Sequence, residues 1–404
     1  MIKYIFCSFM FDDVEENIKN SKAPNAVSGH LFQMNMLRGL AENGCDISVV
    51  NIPRIRRYPD YKQVLFHKTR FKTEFTDEAV SIGFINLQGF NYLTQIYNTY
   101  LELKKIVQMN LDKKIVLLVF NTYPAPIIAI RKIKKQFPEV IVCDVVGDIS
   151  GQYGLKKEKS LHGKLLDYVL NKLDKMASEC DAFALATDNI AKALKIEHKP
   201  YVVIEGMYEI LNTSDNATQT FQTSDEEKII FYAGAVLKEY GIEHLLKAFS
   251  LIKQDKYKLL IAGNGDAVDL VKDYAKDDNR IKYLGMIPPS EVSKYQKMAT
   301  VLVNPRTGEH EYVKYSFASK NLECLASGVP YVAHKLECNP KEYDQYIQYP
   351  RNETDRALAD KLIEVTEFSL TERRRIGITA RIFICQQKNP KIQMGKLHKL
   401  LSEF

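Results

Sequence analysis

The chain has 404 residues, a net charge of +6, 46% hydrophobic residues and 26% charged residues. This composition is that of a globular protein and excludes a disordered chain. The length exceeds what a single hydrophobic core usually organises, so we expect two domains.

The cysteines and the apolar segments limit the compartment and the metal chemistry. The seven cysteines are scattered, with no CxxC or Cys/His spacing. This pattern argues against a disulfide framework and a zinc site, and it indicates a reducing compartment. The N-terminal segment is too short in its apolar part for a secretory signal, and the longest apolar run, Ile115 to Phe120, is too short for a membrane span. We therefore expect a cytoplasmic protein, either soluble or peripheral on the inner face of the cell membrane.

Strand-like apolar runs alternate with helical patterns along the chain, which predicts βα units around parallel sheets. In the first half, strands are predicted at Tyr4–Ser8, Ile47–Asn51, Ser81–Leu87, Ile115–Asn121, Val140–Val145 and Ala182–Ala186. A helix is predicted from Ser28 to Asn43, with Gly44 as its stop signal, and a charged helical stretch from Leu161 to Ala177.

A polar segment from Asn212 to Lys228 has the composition of a linker. A second βα series follows, with strands predicted from Ile229 onward and at Lys258–Ala262, Ile281–Leu284, Thr300–Asn304 and Tyr331–Ala333. We therefore predict an α/β protein of two doubly wound, Rossmann-like domains facing a central cleft, the first at residues 1–205 and the second at residues 206–384. The last stretch is helical, and a helix at about 385–404 is expected to pack back on the first domain.

The segment Ile52–Lys72 is basic and rich in aromatic residues. Its acid is Asp60, and its cations are Arg54, Arg56, Arg57, Lys62, Lys68, Arg70 and Lys72. Such a composition is typical of a segment that binds an anionic membrane surface or an anionic acceptor. It is equally typical of a solvated basic loop. Nucleic acid is a further ligand for such a segment, but no RRM, KH, helix-turn-helix or zinc-finger pattern is present, so we expect no nucleic-acid partner.

The stretch Ser316–Ala333, SFASKNLECLASGVPYVA, carries the most specific pattern of the chain. Lys320 and Glu323 are three residues apart, so they share one face of a short helix that Gly328 ends. A cation at a helix start suits a phosphate, and a carboxylate accepts hydrogen bonds from sugar hydroxyls. The pair therefore indicates a nucleotide-sugar site, against the alternative of a solvated surface pair.

This stretch resembles the donor-site segment of the retaining GT-B glycosyltransferases of family 4 (group 1), in the branch that reads SFPSK-x-x-E-Y followed by G-x-P. The order of segments before it is similar to that family too: FYAGAVLKEYGIEHLLKAF, KLLIAGNGD, IKYLGMIPPSEV and VLVNPR. The resemblance is close from Ile229 to Ala333. It is looser in the first half, where NAVSGHLFQMNMLRGLAENGCDISVV resembles the family's glycine loop and first helix.

The resemblance implies a set of donor-binding residues: Gly29, Gly234, Lys238, Arg306, Ser319, Lys320 and Glu323. Glu323 would bind the ribose hydroxyls, and the cations would bind the diphosphate. Asp148 would orient or deprotonate the acceptor hydroxyl, and a helix N-cap is its alternative role. For Lys238 the alternative is a simple strand-to-helix turn, and for Arg306 it is a surface position.

Three positions depart from the common family pattern. Ala235 and Tyr240 stand where the family usually has an arginine and a lysine of the glycine loop, and Tyr315 stands in the place of a first glutamate. The SFPSK branch commonly lacks that glutamate as well.

The implied function is transfer of a glycosyl unit, with retention of configuration, from a UDP- or GDP-linked sugar to a saccharide. A lipid-linked acceptor in capsule, O-antigen or exopolysaccharide (surface polysaccharide) assembly is expected. We expect no cofactor and, because no Asp-x-Asp metal clamp is present, no metal. The alternatives are a catalytically inactive GT-B protein that binds a nucleotide or a partner, and another GT-B enzyme such as a sugar-nucleotide epimerase or a phosphorylase.

Overall fold

A computed structural model describes residues 2–10, 27–53, 55–121, 123–147, 149, 172–173, 175–209 and 227–404. Contacts divide the chain into two compact units, one of residues 1–207 with 389–404 and one of residues 208–388. The boundaries predicted from the sequence were 205/206 and 384/385. Most of the predicted linker and of the predicted helical stretch from Leu161 to Ala177 lies outside the described residues.

The strands within the described residues are β1 Ile2–Ser8, β2 Asp46–Asn51, β3 Leu65–Phe66, β4 Thr69–Phe71, β5 Ala79–Ser81, β6 Phe84–Ile85, β7 Lys114–Phe120, β8 Ile141–Val146, β9 Ala182–Leu185, β10 Tyr201–Val203, β11 Lys228–Ala233, β12 Tyr257–Ala262, β13 Ile281–Gly285, β14 Val301–Asn304 and β15 Tyr331–Ala333. The described helices of eight or more residues, with two shorter ones (α4 and α8), are α1 Val27–Glu42, α2 Phe90–Gln108, α3 Pro124–Gln136, α4 Asp188–Leu194, α5 Ile242–Ser250, α6 Val268–Asp277, α7 Pro289–Met298, α8 Lys320–Ala326, α9 Asp355–Thr366, α10 Leu370–Gln387 and α11 Pro390–Ser402.

The first unit is built on a sheet with the order β10-β9-β8-β7-β1-β2-β5-β4. The strands are parallel except at the edge, where β4 runs antiparallel to β5. At the centre, Ile5 of β1 pairs with Ser48 of β2 and Leu117 of β7. These central strands are buried along almost their whole length, which explains their continuous apolar runs in the sequence.

The predicted strand Ser81–Leu87 is wrong as a single element. The chain forms β5 and then β6, and β6 pairs antiparallel with β3 instead of extending β5. The break falls at Gly83, where a Cβ atom would lie 2.8 Å from the Phe66 carbonyl oxygen. The close backbone approach at this glycine turns the chain away from the main sheet.

The C-terminal helix α11 packs against α1 in the first unit. A Cβ atom at Gly39 of α1 would lie 2.2 Å from the carbonyl oxygen of Pro390. The Asn43 side chain donates a hydrogen bond to the Lys391 carbonyl oxygen at 2.8 Å, and Tyr4 Oη is hydrogen-bonded to His398 Nδ1 at 2.7 Å. Pro390 begins α11 and separates it from α10, because proline is favoured at the first position of a helix.

The second unit is a parallel sheet with the order β13-β12-β11-β14-β15. Alternate residues of β11 enter two different cores. Ile230 packs with Leu245 of α5 and Leu362 of α9, whereas Phe231 packs with Leu325 of α8 and Phe383 of α10. Helices therefore cover both faces, and the predicted doubly wound α/β class is confirmed. Among the described helices, none is both long and apolar enough to cross a membrane.

Candidate functional site

The predicted site residues of the second unit gather at the carboxyl ends of β11 and β14. The chain runs from β11 to β12 and β13 on one side, and then crosses to β14 on the other side of β11. The loops that follow β11 and β14 consequently leave the sheet in opposite directions. Such a switch point opens a crevice, which is where open α/β sheets bind their ligands.

Two glycines with positive φ hold the loop that follows β11. At Gly241 φ is +81°, and a Cβ atom there would lie 2.3 Å from the Pro305 carbonyl oxygen. At Gly263, after β12, φ is +135°, and a Cβ atom would lie 1.7 Å from the Gly234 carbonyl oxygen. A side chain at either position would clash and would also strain the backbone. The loop from Gly234 to Gly241 is therefore fixed against both neighbouring strands.

Lys320 and Glu323 of α8 lie beside this loop. The Lys320 ammonium donates a hydrogen bond to Glu323 Oε2 at 2.7 Å, and both side chains remain partly exposed, at 38% and 46%. The Lys320 Cε atom lies 3.6 Å from the position of a Cβ atom at Gly234. The structure therefore brings together three of the residues predicted from the sequence. An exposed ion pair of this kind stabilises the fold little, so its groups are available to a ligand.

Arg306, which follows β14, is a buried cation close to two aromatic rings. The side chain is only 6% exposed. Its guanidinium carbon lies 5.4 Å from the ring centroid of Tyr240 and 5.1 Å from that of Tyr312. Both distances are within the range of a cation–π contact. The predicted alternative of a surface arginine is therefore wrong.

One edge of this guanidinium has no hydrogen-bond partner. Nη1 donates to the Ser316 carbonyl oxygen at 3.4 Å, but Nε and Nη2 are buried and unpaired among the described residues. Nε–H and an Nη2–H point in the same direction, which is the fork that binds a carboxylate or phosphate with two parallel hydrogen bonds. A buried donor without a partner costs about 1–3 kcal/mol. The arrangement therefore favours an oxyanion ligand.

The remaining predicted residues of this unit lie around the same edge. Lys238 is exposed in the turn between β11 and α5, forms no ion pair with any residue that the structure describes, and its backbone N–H donates to Asp266 at 2.9 Å. Ser319 immediately precedes α8, and its side chain makes no capping hydrogen bond. Tyr315, in the place of the family's first glutamate, ends the short 3-10 helix from Glu311.

Gly29 and Asp148 belong to the first unit. Gly29 lies in the first turn of α1, where its carbonyl oxygen accepts a hydrogen bond from Gln33 Nε2 at 3.0 Å. The Gln33 side-chain oxygen in turn accepts from the Phe9 backbone N–H at 2.7 Å, so α1 begins near the carboxyl end of β1. Asp148 lies outside the described residues, and its predicted role stays a prediction.

A chain of three polar side chains was not predicted from the sequence. His244 Nδ1 donates to Asp355 Oδ1 at 2.5 Å, and His244 Nε2 lies 2.9 Å from His334 Nε2. His334 directly follows β15, and burial, together with the neighbouring His244, lowers the pKa of His334 to about 4. His244 is 111 positions from Asp355 and 90 positions from His334 in the sequence, so no local spacing could reveal the cluster.

Within the part of the chain that the structure describes, no group of three or more His, Cys, Asp or Glu side chains could hold a metal ion. Lys238, Arg306 and Lys320 are cations near the carboxyl edge of the second sheet. Fixed cations of this kind can bind a diphosphate by charge and hydrogen bonding.

Residues 214–382 match the sequence model of the family described as Glycosyl transferases group 1. The match lies in the second unit, which is thus similar in sequence to the group 1 glycosyltransferases. An alpha-monoglucosyldiacylglycerol synthase from Streptococcus pneumoniae is 34% identical over 115 residues, which cover 27% of this chain and 25% of that protein. The chain thus matches about a quarter of the length of this glycosyltransferase relative.

Solved structures share the fold over the whole chain. A sucrose-phosphate synthase from Thermosynechococcus elongatus aligns with a TM-score of 0.65 at 15% identity, over 100% of both chains. A mutant of TarM from S. aureus, solved with fondaparinux, alpha-GlcNAc-glycerol and UDP, aligns with a TM-score of 0.60 at 11% identity, over 99% of this chain and 100% of TarM. Identities this low show the fold alone, and that fold is the GT-B arrangement of two Rossmann-like domains.

Proposed function

We propose that this group 1 glycosyltransferase moves a glycosyl unit from a nucleotide-sugar donor to a saccharide acceptor, with retention of configuration. One observation carries the proposal: the unpaired edge of Arg306 and the Lys320–Glu323 pair lie at the carboxyl edge of one sheet, at its switch point. A nucleoside diphosphate offers both of the groups that these side chains fit, namely a diphosphate for the cations and ribose hydroxyls for the carboxylate.

The roles follow from charge and position. Glu323 accepts hydrogen bonds from the ribose hydroxyls, while Lys320, Arg306 and Lys238 bind the diphosphate. These cations stabilise the negative charge that develops on the leaving nucleoside diphosphate as the sugar becomes oxocarbenium-like. Ser319 and Gly234 allow the donor to approach the backbone. In the first unit, Gly29 belongs to the donor-binding residues, and Asp148 orients or deprotonates the acceptor hydroxyl.

The donor and the acceptor are proposed by class. A UDP- or GDP-linked sugar is the donor, and the UDP in the TarM structure supports the former. A lipid-linked saccharide is the acceptor, and the name of the Streptococcus relative, whose product is a glucosylated diacylglycerol, supports the lipid part of that acceptor. Membership of family 4 in its SFPSK branch, a role in surface polysaccharide assembly and a place on the cytoplasmic face of the membrane belong to the same proposal.

Nucleotide binding tests the proposal directly. Thermal unfolding is measured with UDP, GDP, ADP and CMP for the wild type and for Glu323→Ala and Lys320→Ala. At a ligand concentration a hundredfold over the dissociation constant, the stabilisation is about 2.7 kcal/mol. Each substitution removes a charged hydrogen-bonding group, so we expect affinity to fall about tenfold or more.

The control is an ion pair of the same spacing away from this edge. Lys276 and Asp273 of α6 are three residues apart, 2.8 Å from nitrogen to oxygen, and exposed. Lys276→Ala and Asp273→Ala should leave nucleotide stabilisation unchanged. If no nucleotide stabilises the wild type, the second candidate function, an inactive GT-B protein, is favoured. The departures from the family pattern at Ala235, Tyr240 and Tyr315 support that candidate.

Peripheral membrane contact through Ile52–Lys72 is also part of the proposal, and α2 extends the surface. Phe90, Leu93, Tyr97 and Leu101 recur at helical spacing, and they are 58%, 65%, 60% and 43% exposed. A stripe of large exposed apolar side chains in a unit with a basic segment is typical of proteins that lie on anionic lipid.

Vesicle binding tests this surface. We expect the wild type to sediment with vesicles of phosphatidylcholine and phosphatidylglycerol, and to be released by salt because the basic side chains contribute about 1 kcal/mol each near a charged surface. The double variant Leu93→Ser, Tyr97→Ser should bind at least tenfold more weakly. Met286→Ser, which removes a side chain that is 78% exposed in the second unit, is the control. Equal binding of all three proteins would contradict the membrane surface.

A further inference from the structure

A cavity of about 320 Å³ lies at the switch point of the first sheet. In this sheet β1 lies between β2 and β7, and the chain passes from β1 to β2 on one side before it returns to β7 on the other. Phe9 follows β1, Ile52 follows β2 and Tyr123 precedes α3 after β7, and all three line the cavity. The cavity is therefore in the place where an open α/β sheet binds a ligand, and its size suits a small polyol.

Two buried amides from α2 line this cavity. Asn91 and Gln95 are one helical turn apart, and each is only 6% exposed. Both side chains carry an amide donor and an amide acceptor, and both line the cavity. Hydroxyl groups of a ligand can pair with such amides.

The neighbouring basic segment is held in place by the same helix. Asn91 donates to the Asn86 side-chain oxygen at 2.9 Å, and Asn86 donates to the Arg56 carbonyl oxygen at 3.1 Å. Arg56 and Arg57 both line the cavity, and the Arg57 guanidinium lies 4.9 Å from the ring centroid of Tyr92. A buried network thus fixes the backbone that carries two exposed cations, which is the kind of preorganisation that a binding site requires.

The charge of the lining is positive. Its charged groups are Arg56, Arg57 and the carboxylate of Asp60, which has an interaction partner of its own. Two guanidinium groups match the charge and the geometry of a phosphate ester, and aromatic rings such as Tyr92 and Tyr123 match the apolar face of a polyol. All of these residues lie in the first unit.

We propose that this cavity binds a polyol phosphate, with the phosphate on Arg56 and Arg57 and the hydroxyls on Gln95 and Asn91. The inference rests on the proposed function, and it narrows the acceptor of that reaction to one that carries a phosphate ester on its polyol. Two sources share this chemistry, a soluble sugar or glycerol phosphate and the headgroup of a phospholipid.

Binding measurements separate the class from its source. Calorimetry is carried out with sn-glycerol 3-phosphate and glucose 1-phosphate, with glycerol and glucose as uncharged counterparts, and with dihexanoyl phosphatidylglycerol and dihexanoyl phosphatidylcholine as monomeric lipids. We expect the phosphate-bearing polyols to bind and the uncharged polyols and phosphatidylcholine to bind at least tenfold more weakly. Binding of the soluble phosphates identifies a soluble source, and binding of phosphatidylglycerol alone identifies a lipid headgroup.

Variants locate the site. Arg56→Gln and Arg57→Gln should each weaken binding about tenfold, because each removes a charged hydrogen-bond donor. Gln95→Leu should weaken the polyol phosphates towards the affinity of inorganic phosphate. Lys135→Gln, which removes an exposed cation of α3 that does not line the cavity, should change nothing.

The result that overturns the inference is distinct from failure of the proposed function. If no polyol phosphate binds, or if Arg56→Gln, Arg57→Gln and Gln95→Leu all bind like Lys135→Gln, this cavity is not the acceptor site. The nucleotide-induced stabilisation of the second unit would stand in that case, and the glycosyltransferase proposal with it.

Discussion

The Arg306→Met protein is expected to lose nucleotide binding and to be at least as stable as the wild type without ligand. Methionine fills a similar length of space between Tyr240 and Tyr312 and leaves no unpaired buried N–H group. In the wild type, Nε and Nη2 are buried without partners among the described residues, which costs about 1–3 kcal/mol per group. The two cation–π contacts offset part of that cost, at about 0.5–2 kcal/mol each.

The loss of nucleotide binding follows from the unpaired edge of the Arg306 guanidinium, formed by Nε and Nη2. Two hydrogen bonds from a guanidinium to a phosphate are lost together, so we expect the nucleotide dissociation constant to rise about a hundredfold or more. Arg306→Lys keeps the charge but cannot form the two parallel hydrogen bonds, and it should bind with an intermediate affinity.

Two measurements on each variant decide the matter: denaturant unfolding without ligand, and the thermal shift with the nucleotide that stabilises the wild type. Arg374→Met, which replaces an exposed arginine of α10, is the control and should leave both unchanged. Full nucleotide stabilisation of Arg306→Met would remove Arg306 from the donor site. A ligand-free variant less stable by several kcal/mol would mean that the guanidinium is structural.

The position of Arg306 also gives a physical account of one departure from the family pattern. Tyr240 stands where the resemblance led us to expect a lysine, and its ring faces the Arg306 guanidinium. A lysine at that place would put a second cation against a buried one. The Tyr240 ring instead stabilises the cation, and so does the ring of Tyr312. We infer that Arg306 carries the charge that the glycine loop lacks.

The α/β class could be predicted because a parallel strand that is buried on both faces has a continuous run of apolar residues in the sequence. The runs at β1, β7 and β12 are almost fully buried, and the sequence placed each of them within a residue or two. The strand predicted at Ser81–Leu87 failed because a pairing with β3, distant in sequence, competes for its second half. Such a choice depends on tertiary contacts that a local pattern does not contain.

The site was predictable only where its residues are neighbours in sequence. Lys320 and Glu323 lie three residues apart on one helix, so their spacing predicts their contact. Arg306 could be placed at the end of a strand, but neither its burial nor its unpaired edge could be inferred, since both depend on Tyr240 and Tyr312. Gln95 and Asn91 were missed because a polar residue in a helix looks solvated until the fold buries it.

His334 gives the second large effect, a loss of stability in acid. Burial and the neighbouring His244 lower the pKa of His334 to about 4, against about 6.5 in an unfolded chain. The folded protein therefore binds fewer protons than the unfolded chain between these two values. The stability that neutral His334 contributes is complete above pH 6.5 and is lost as the pH falls towards 4. A difference of this size corresponds to about 3 kcal/mol.

The substitution His334→Gln removes this titration but keeps a polar group beside His244. We expect the variant to lose less unfolding free energy than the wild type between pH 7 and pH 4, with the difference approaching about 3 kcal/mol. Denaturant unfolding at pH 7, 5.5, 4.5 and 4 measures it, and taking the difference between the two proteins cancels the carboxylates that both contain. His310→Gln, at an exposed position, should follow the wild type.

The result also reports on the protonation of the hydrogen-bonded series Asp355, His244 and His334. Asp355 can only accept when ionised, so His244 carries its proton on Nδ1, and one of the two facing Nε2 atoms must donate to the other. A neutral His334 can take either part. If the acid losses of His334→Gln and the wild type coincide, His334 binds its proton equally well in the folded and the unfolded chain, and folding does not lower its pKa.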